Sequence, residues 1–258
     1  DYLGYGESTV LHPYVHAGLS SSAVIDFLRA SRTYLNESNI TSGPYLFLGG
    51  YSEGGYVTLA TQRDMELNYS DEFDITAVAP MAGPYDLATT VETVIQYTTY
   101  EYPTYMAFLF LSYDTIYGWN RLSDVINDPY AGMLPGLFDG THSLSEINGQ
   151  LPTDVSQLIN QDFVSDYLAG NEPEIEAAFE ENTLLDWAPV APIRFYHGDA
   201  DVTVPYQNSV TARDSLTANG GANIELVTVP GGTHVTTAPL VILDAIDWFE
   251  GFRITPVQ

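Results

Sequence analysis

Short apolar runs alternate with amphipathic stretches along this chain, an order that predicts a parallel sheet covered by helices on both faces. Tyr45-Leu46-Phe47-Leu48 reads as a first buried strand, Ile75 to Ala79 as a second, Ile193 to Tyr196 as a third and Ile224 to Val229 as a fourth. Ahead of the first strand, Val24, Phe27, Leu28 and Leu35 recur at helical spacing, with Ser20, Ser21 and Ser22 offering caps and Gly43-Pro44 a stop. A second helix runs from about Glu53 to Tyr69. A third opens near Pro205 and closes at Gly220-Gly221, Pro early and Gly late as helix ends prefer. The last starts at about Pro239 and sets Ile242, Ile246 and Phe249 on one face.

Between Gly83 and Pro192 the rhythm changes: strand-like runs are absent, Tyr is frequent, and helical stretches dominate. Glu174 to Leu185 is one of these, with Pro173 before it and acids in its first turn. Residues 84–190 therefore read as a helical cap inserted over the carboxyl edge of the sheet, where α/β proteins place their sites. Residues 1–83 and 191–258 then form the sheet-bearing core. Within the cap, Tyr97, Tyr100, Tyr102, Tyr105, Phe108, Phe110, Tyr113, Tyr117 and Trp119 crowd one stretch. They form either its own core or an apolar pocket for a ligand.

Composition narrows the function classes. The 258 residues are 45% hydrophobic and 16% charged, a globular composition, and the longest apolar run, Met106 to Leu111, is too short to span a bilayer. Seven basic residues, all Arg, face 34 acids, so the net charge is −27. Such a surface repels nucleic acid and anionic membranes, which argues against both as partners. An acidic, Lys-free surface also suggests adaptation to high salt, with stability rising between low and molar NaCl. The absence of Cys removes disulfides, thiol nucleophiles and thiolate metal sites.

Gly50-Tyr51-Ser52-Glu53-Gly54 places a Ser between a predicted strand and a predicted helix. A nucleophile there needs a strained turn, and bulk two residues either side would collide with the neighbouring strand and helix. A serine hydroxyl also needs a base to take its proton and an acid to orient that base. For a strand–turn–helix nucleophile the expected chain order is Ser, acid, His. His197-Gly198-Asp199-Ala200-Asp201 follows the third strand, and Gly231-Gly232-Thr233-His234 follows the fourth. Asp199 and Asp201 both qualify as the acid. His197 reads as a structural hydrogen-bonding group at the strand end, and His12, His16 and His142 as surface or packing residues. His197, Asp199 and Asp201 have the spacing of a metal site, but no second ligand cluster supports one, and no metal is expected.

Gly-Tyr-Ser-Glu-Gly-Gly, His-Gly-Asp-Ala-Asp-Val-Thr-Val-Pro and Gly-Gly-Thr-His together resemble the α/β-hydrolase superfamily. Asp1-Tyr2-Leu3-Gly4-Tyr5-Gly6, His12-Pro13-Tyr14 and Asn127-Asp128-Pro129-Tyr130 resemble bacterial secreted lipases and esterases of the secretory-lipase kind. The resemblance implies the α/β-hydrolase fold with a helical cap and ester hydrolysis without a cofactor. It assigns Ser52 as nucleophile, Asp201 as acid and His234 as base, with the backbone N–H of Glu53 as one oxyanion donor. In this superfamily the second donor lies upstream of the position of Asp1. The opening residues resemble the exit from the fourth strand of an eight-strand sheet, so the fold is expected to be N-terminally incomplete and the strand at Tyr45–Leu48 to have an unpaired edge. The implied partner is a small-molecule or lipid ester, with no nucleic acid and no stable membrane insertion; the oligomeric state stays open. The implied location is secreted or periplasmic in a bacterium. Two alternatives remain: a serine peptidase of the prolyl-oligopeptidase type, and a catalytically silent, hydrolase-like binding protein.

Overall fold

Four parallel strands form one sheet in the order β1-β2-β3-β4, namely Phe47–Tyr51, Ala77–Met81, Ile193–Gly198 and Ile224–Val229. The computed structural model describes residues 1–254. All four predicted strands are present, but β1 and β2 start two residues later than predicted, and β1, β2 and β3 all run further towards their C-terminal ends. Pairing runs from Phe47↔Ala77 to Tyr51↔Met81, straight through Gly49, Gly50 and Pro80, residue types that tend to interrupt strands. Pro80 leaves a mark on the other side of β2. The N–H groups of Val78 and Ala82 donate to Pro192 O and Tyr196 O of the β3 side, and the rung between them is missing because proline has no N–H. β1 is an edge strand whose only strand partner among the described residues is β2.

Helices α1 (Ala17–Glu37) and α2 (Glu53–Asn68) pack on each other and α2 on the sheet, which buries an unbroken run from Gly55 to Gln62. The serines expected to cap α1 lie inside it. Ser20 and Ser21 are buried, and Ser21 Oγ donates to Asp64 Oδ2 at 2.8 Å. Their small side chains allow the two helices to approach. Phe27, expected on the buried face, is 62% exposed, and Ile25 takes its place.

The eight helices α3 to α10 span Leu87–Val94, Pro103–Tyr117, Leu122–Val125, Tyr130–Leu137, Leu144–Asn148, Val155–Leu158, Gln161–Leu168 and Pro173–Glu181. Then α11 (Gln207–Ala218) joins β3 to β4, and α12 (His234–Ile254) closes the described chain. α12 starts five residues before Pro239, which sits inside it. Its core contacts are Val241 and Ala245 against Ala79, Met81 and Tyr196, whereas Ile242 and Ile246 are exposed. The expected face is thus wrong by about one position per turn. A small Ala at the sheet decides the orientation, with Phe249 half-buried and stacked on Phe47 of the edge strand.

The chain forms two units. One comprises Ala17–Asp86 and the chain from Thr183 onward; the other comprises Asp1–His16 with Leu87–Asn182. The sequence pattern had grouped the first sixteen residues with the sheet. The structure gives them to the helical unit because their aromatic side chains are satisfied there. Tyr14 stacks on Phe108, which stacks on Phe138, and the backbone N–H of Tyr14 donates to Ser112 Oγ. Tyr113 Oη donates to Val15 O, and buried His12 donates from Nδ1 to Leu3 O. Phe110, Tyr113 and Phe179 centre this core, and Arg121 holds Glu172 through two hydrogen bonds. Among the described residues this unit has no named strand, only isolated bridges at Thr99↔Asp154 and Ile126↔Ile159.

Candidate active site

Ser52 occupies the single residue between β1 and α2, with φ 60° and ψ −121°. A non-glycine residue pays on the order of 1–3 kcal/mol for such a conformation. Its neighbours impose it. The N–H of Ser52 donates to Met81 O of β2, and its carbonyl accepts from the N–H of Tyr56. A Cβ at Gly50 would collide with the carbonyl of Gly54, and one at Gly55 with the carbonyl of Met81. Gly54 itself has open space around it. The steric argument therefore holds for Gly50, while on the helix side the demanding position is Gly55, which touches the neighbouring strand.

The other two side chains arrive on loops at the same edge of the sheet. Asp201 follows β3 and His234 is the first residue of α12, after β4. His234 Nε2 lies 2.8 Å from Ser52 Oγ, and His234 Nδ1 lies 2.6 Å from Asp201 Oδ2. Three residues far apart in sequence are thus joined in one hydrogen-bonded chain. Two glycines let the loops meet. A Cβ on Gly198 would strike the Gly232 carbonyl, and one on Gly232 would strike Thr237 Oγ1. The N–H of Ala200 then donates to Gly232 O. Tyr51, which the sequence pattern left without a role, donates from its hydroxyl to the carbonyl of His234 at 2.6 Å. Burial, with the nearby Asp201 charge, raises the Tyr51 hydroxyl well above its ordinary range, so it stays a donor.

Asp201 is sealed from solvent, whereas Ser52 and His234 keep partial access to it. Burial alone would push the Asp201 carboxyl up. Hydrogen bonds from His197 and His234, with the attraction of both rings, outweigh it and bring the group down to about 2. Its other oxygen, Oδ1, accepts the backbone N–H groups of Thr203 and Val204 at 2.9 and 3.0 Å. Asp199, the competing acid, points elsewhere: it accepts the N–H of Gly231 at 2.6 Å and so ties down the loop that delivers His234. His197 is fully buried and, beyond the strand-end role expected of it, contacts Asp201 itself. Glu53 opens α2, which puts its backbone N–H at the positive end of a helix beside Ser52. Among the described residues no group of three or more His, Cys, Asp or Glu is placed to share a metal ion.

Residues 150–253 match the family model for secretory lipases, a stretch that includes Asp201 and His234. No curated protein matches the chain. Among solved structures, a Legionella pneumophila protein described as a hydrolase is 27% identical with a TM-score of 0.91, the alignment covering all of this chain and 70% of that one. The rice cell wall degrading esterase LipA of Xanthomonas oryzae is 30% identical with a TM-score of 0.83, covering 94% of this chain and 66% of that one. Candida antarctica lipase A in its closed state, at 19% identity and a TM-score of 0.78, shares the fold over 95% of this chain and 57% of its own. The chain spans about two thirds of the length of the two bacterial proteins. By its parallel sheet, its helical insertion and these matches, the chain has the α/β-hydrolase fold and resembles the secretory lipases.

Proposed function

We propose that the chain is a serine hydrolase that cleaves carboxylic esters through an acyl-enzyme. The observation that carries this reading is the continuous hydrogen-bonded path from Ser52 Oγ through His234 to Asp201. Ser52 Oγ attacks the ester carbonyl as His234 Nε2 takes its proton. The imidazolium then hands that proton to the leaving alkoxide. Water repeats the cycle on the acyl-enzyme and returns Ser52. Asp201 keeps Nδ1 of His234 protonated and offsets the positive charge that forms on the ring. The oxyanion of each tetrahedral intermediate lies by the N–H of Glu53, at the start of α2, where the helix field favours negative charge. The substrate is a small or lipid ester, and the match to secretory lipases supports a secreted or periplasmic setting.

Parallel assays with p-nitrophenyl esters and aminoacyl p-nitroanilides test this. The expected result is ester hydrolysis that falls about 10⁴-fold or more in Ser52→Ala, with no comparable anilide turnover. Faster anilide cleavage would favour a peptidase, and ester turnover that survives Ser52→Ala would reject the mechanism.

A further inference from the structure

Asp201 Oδ2 accepts from two imidazoles at once, His234 on one side and His197 on the other. His197 Nε2 lies 3.2 Å from that oxygen and 3.0 Å from the carbonyl of Val204. A carbonyl can only accept, so Nε2 carries the hydrogen and shares it between the two oxygens. On the far side of the ring, Nδ1 lies 2.8 Å from Ser209 Oγ of α11. In the neutral ring Nδ1 is then the acceptor and the Ser209 hydroxyl the donor, so α11 fixes the tautomer that faces Asp201. The ring is entirely buried, and Tyr206 stands edge-on to it at 5.7 Å between centroids.

We infer that His197 is a positioning residue for the acid–base pair: its Nε2–H holds Asp201 Oδ2 in line with His234 and takes part of the carboxylate's charge, moderating the basicity of His234. This rests on the function proposed above. Four donors fill the acid, with the Thr203 and Val204 N–H groups on Oδ1 and the two rings on Oδ2. Rotation of the carboxylate would break all four bonds. Withdrawing the His197 donor leaves Oδ2 to His234 alone. The carboxylate then attracts the His234 imidazolium more strongly, and the imidazole keeps its proton to higher pH. Two further ionisable side chains stand against these rings, Tyr51 at the end of β1 against His234 and Tyr206 ahead of α11 against His197, while Asp199 lies on the same loop as Asp201. Tyr51 is held protonated by burial, and Asp199 is turned to Gly231.

The rate at which a fluorophosphonate labels Ser52, followed across pH, reads both effects without knowledge of the natural ester. His197→Asn keeps a polar side chain but is too short to reach Asp201. His197→Gln places an amide N–H near the position of Nε2. The inference predicts that His197→Asn loses about 10- to 100-fold in plateau labelling rate, the range of a hydrogen bond to a charged group. Its acid limb should also move up by about half a pH unit or more, and His197→Gln should recover most of both. Equal losses in the two variants with an unmoved acid limb would reduce His197 to a packing residue and overturn the inference.

The unmutated chain supplies a second reading that needs no variant to fold. Phosphonylation of Ser52 should shift the His197 Nε2–H proton resonance, because both rings share one oxygen; an unmoved resonance overturns the coupling. If the unmutated chain is not labelled at Ser52 at all, it is the proposed function that fails. Normal labelling with indifferent His197 variants rejects the His197 role alone.

Discussion

The two units are built on different tolerances. In the sheet unit, the candidate site depends on points where there is no room. Gly50, Gly55, Gly198 and Gly232 each lie where a single Cβ would meet backbone or a buried hydroxyl, and Asp201 has four donors and no freedom. In the helical unit, Gly132 and Gly136 of α6 have open space around their Cβ positions, and the core is made of aromatic rings, stacked at Tyr14, Phe108 and Phe138 and edge-on or tilted around Phe110, Tyr113 and Phe179. Ring packing accepts many sequences of similar volume. A strained serine turn joined to two loops does not. The comparison teaches that the proposed chemistry sits where local geometry is over-determined, whereas the helical unit satisfies a volume requirement.

The largest predicted effect tests the over-determined side. Asp201→Asn should lower kcat by about 10⁴-fold, whereas Asp199→Asn, which loosens only the loop at Gly231, should cost about tenfold or less. Equal losses would mean that the geometry misidentifies the acid. The same substitution has a stability signature. A carboxyl held at about 2 against an ordinary 3.8 contributes roughly 2 kcal/mol above pH 4, which is lost as pH falls towards 2. Denaturation midpoints measured between pH 2 and 5 should therefore flatten in Asp201→Asn.

A smaller effect contrasts the units directly. Gly198→Ala should cost about 1–3 kcal/mol of stability and about 10²-fold in activity, because it pries apart the loops carrying Asp201 and His234. Gly132→Ala, inside α6, should instead stabilise the protein by about 0.5–1 kcal/mol. Urea unfolding of both variants checks the signs, and a destabilised Gly132→Ala would break the contrast.

The same contrast explains what was legible. The serine turn, the acid loop and the histidine loop were legible as candidates because nucleophile, acid and base each need a particular residue type at a strand end, and the resemblance to α/β-hydrolases supplied their chain order. The parallel sheet could be read from its apolar runs, but strand ends could not, since pairing overrode the breaking tendency of Gly49, Gly50 and Pro80. The faces of α1 and α12 were misjudged at Phe27, Ile242 and Ile246 because contact with the sheet and with α2 selects small residues, Ala245, Ser20 and Ser21, over the larger apolar ones. Assignment of Asp1–His16 to the helical unit depends on stacking between Tyr14 and Phe108, a long-range contact with no local signature. Tyr51 and His197 were visible as residues, but their partners became apparent only once three loops shared one edge of the sheet.

The central claim is that Ser52 is a nucleophile activated by His234. Its most direct measurement is the mass of the intact chain after exposure to a fluorophosphonate, followed by peptide mapping. The account predicts one phosphonyl group per chain, located on Ser52 and absent from both Ser52→Ala and heat-unfolded protein. An unlabelled folded chain, or an adduct on another hydroxyl with Ser52 untouched, would contradict it.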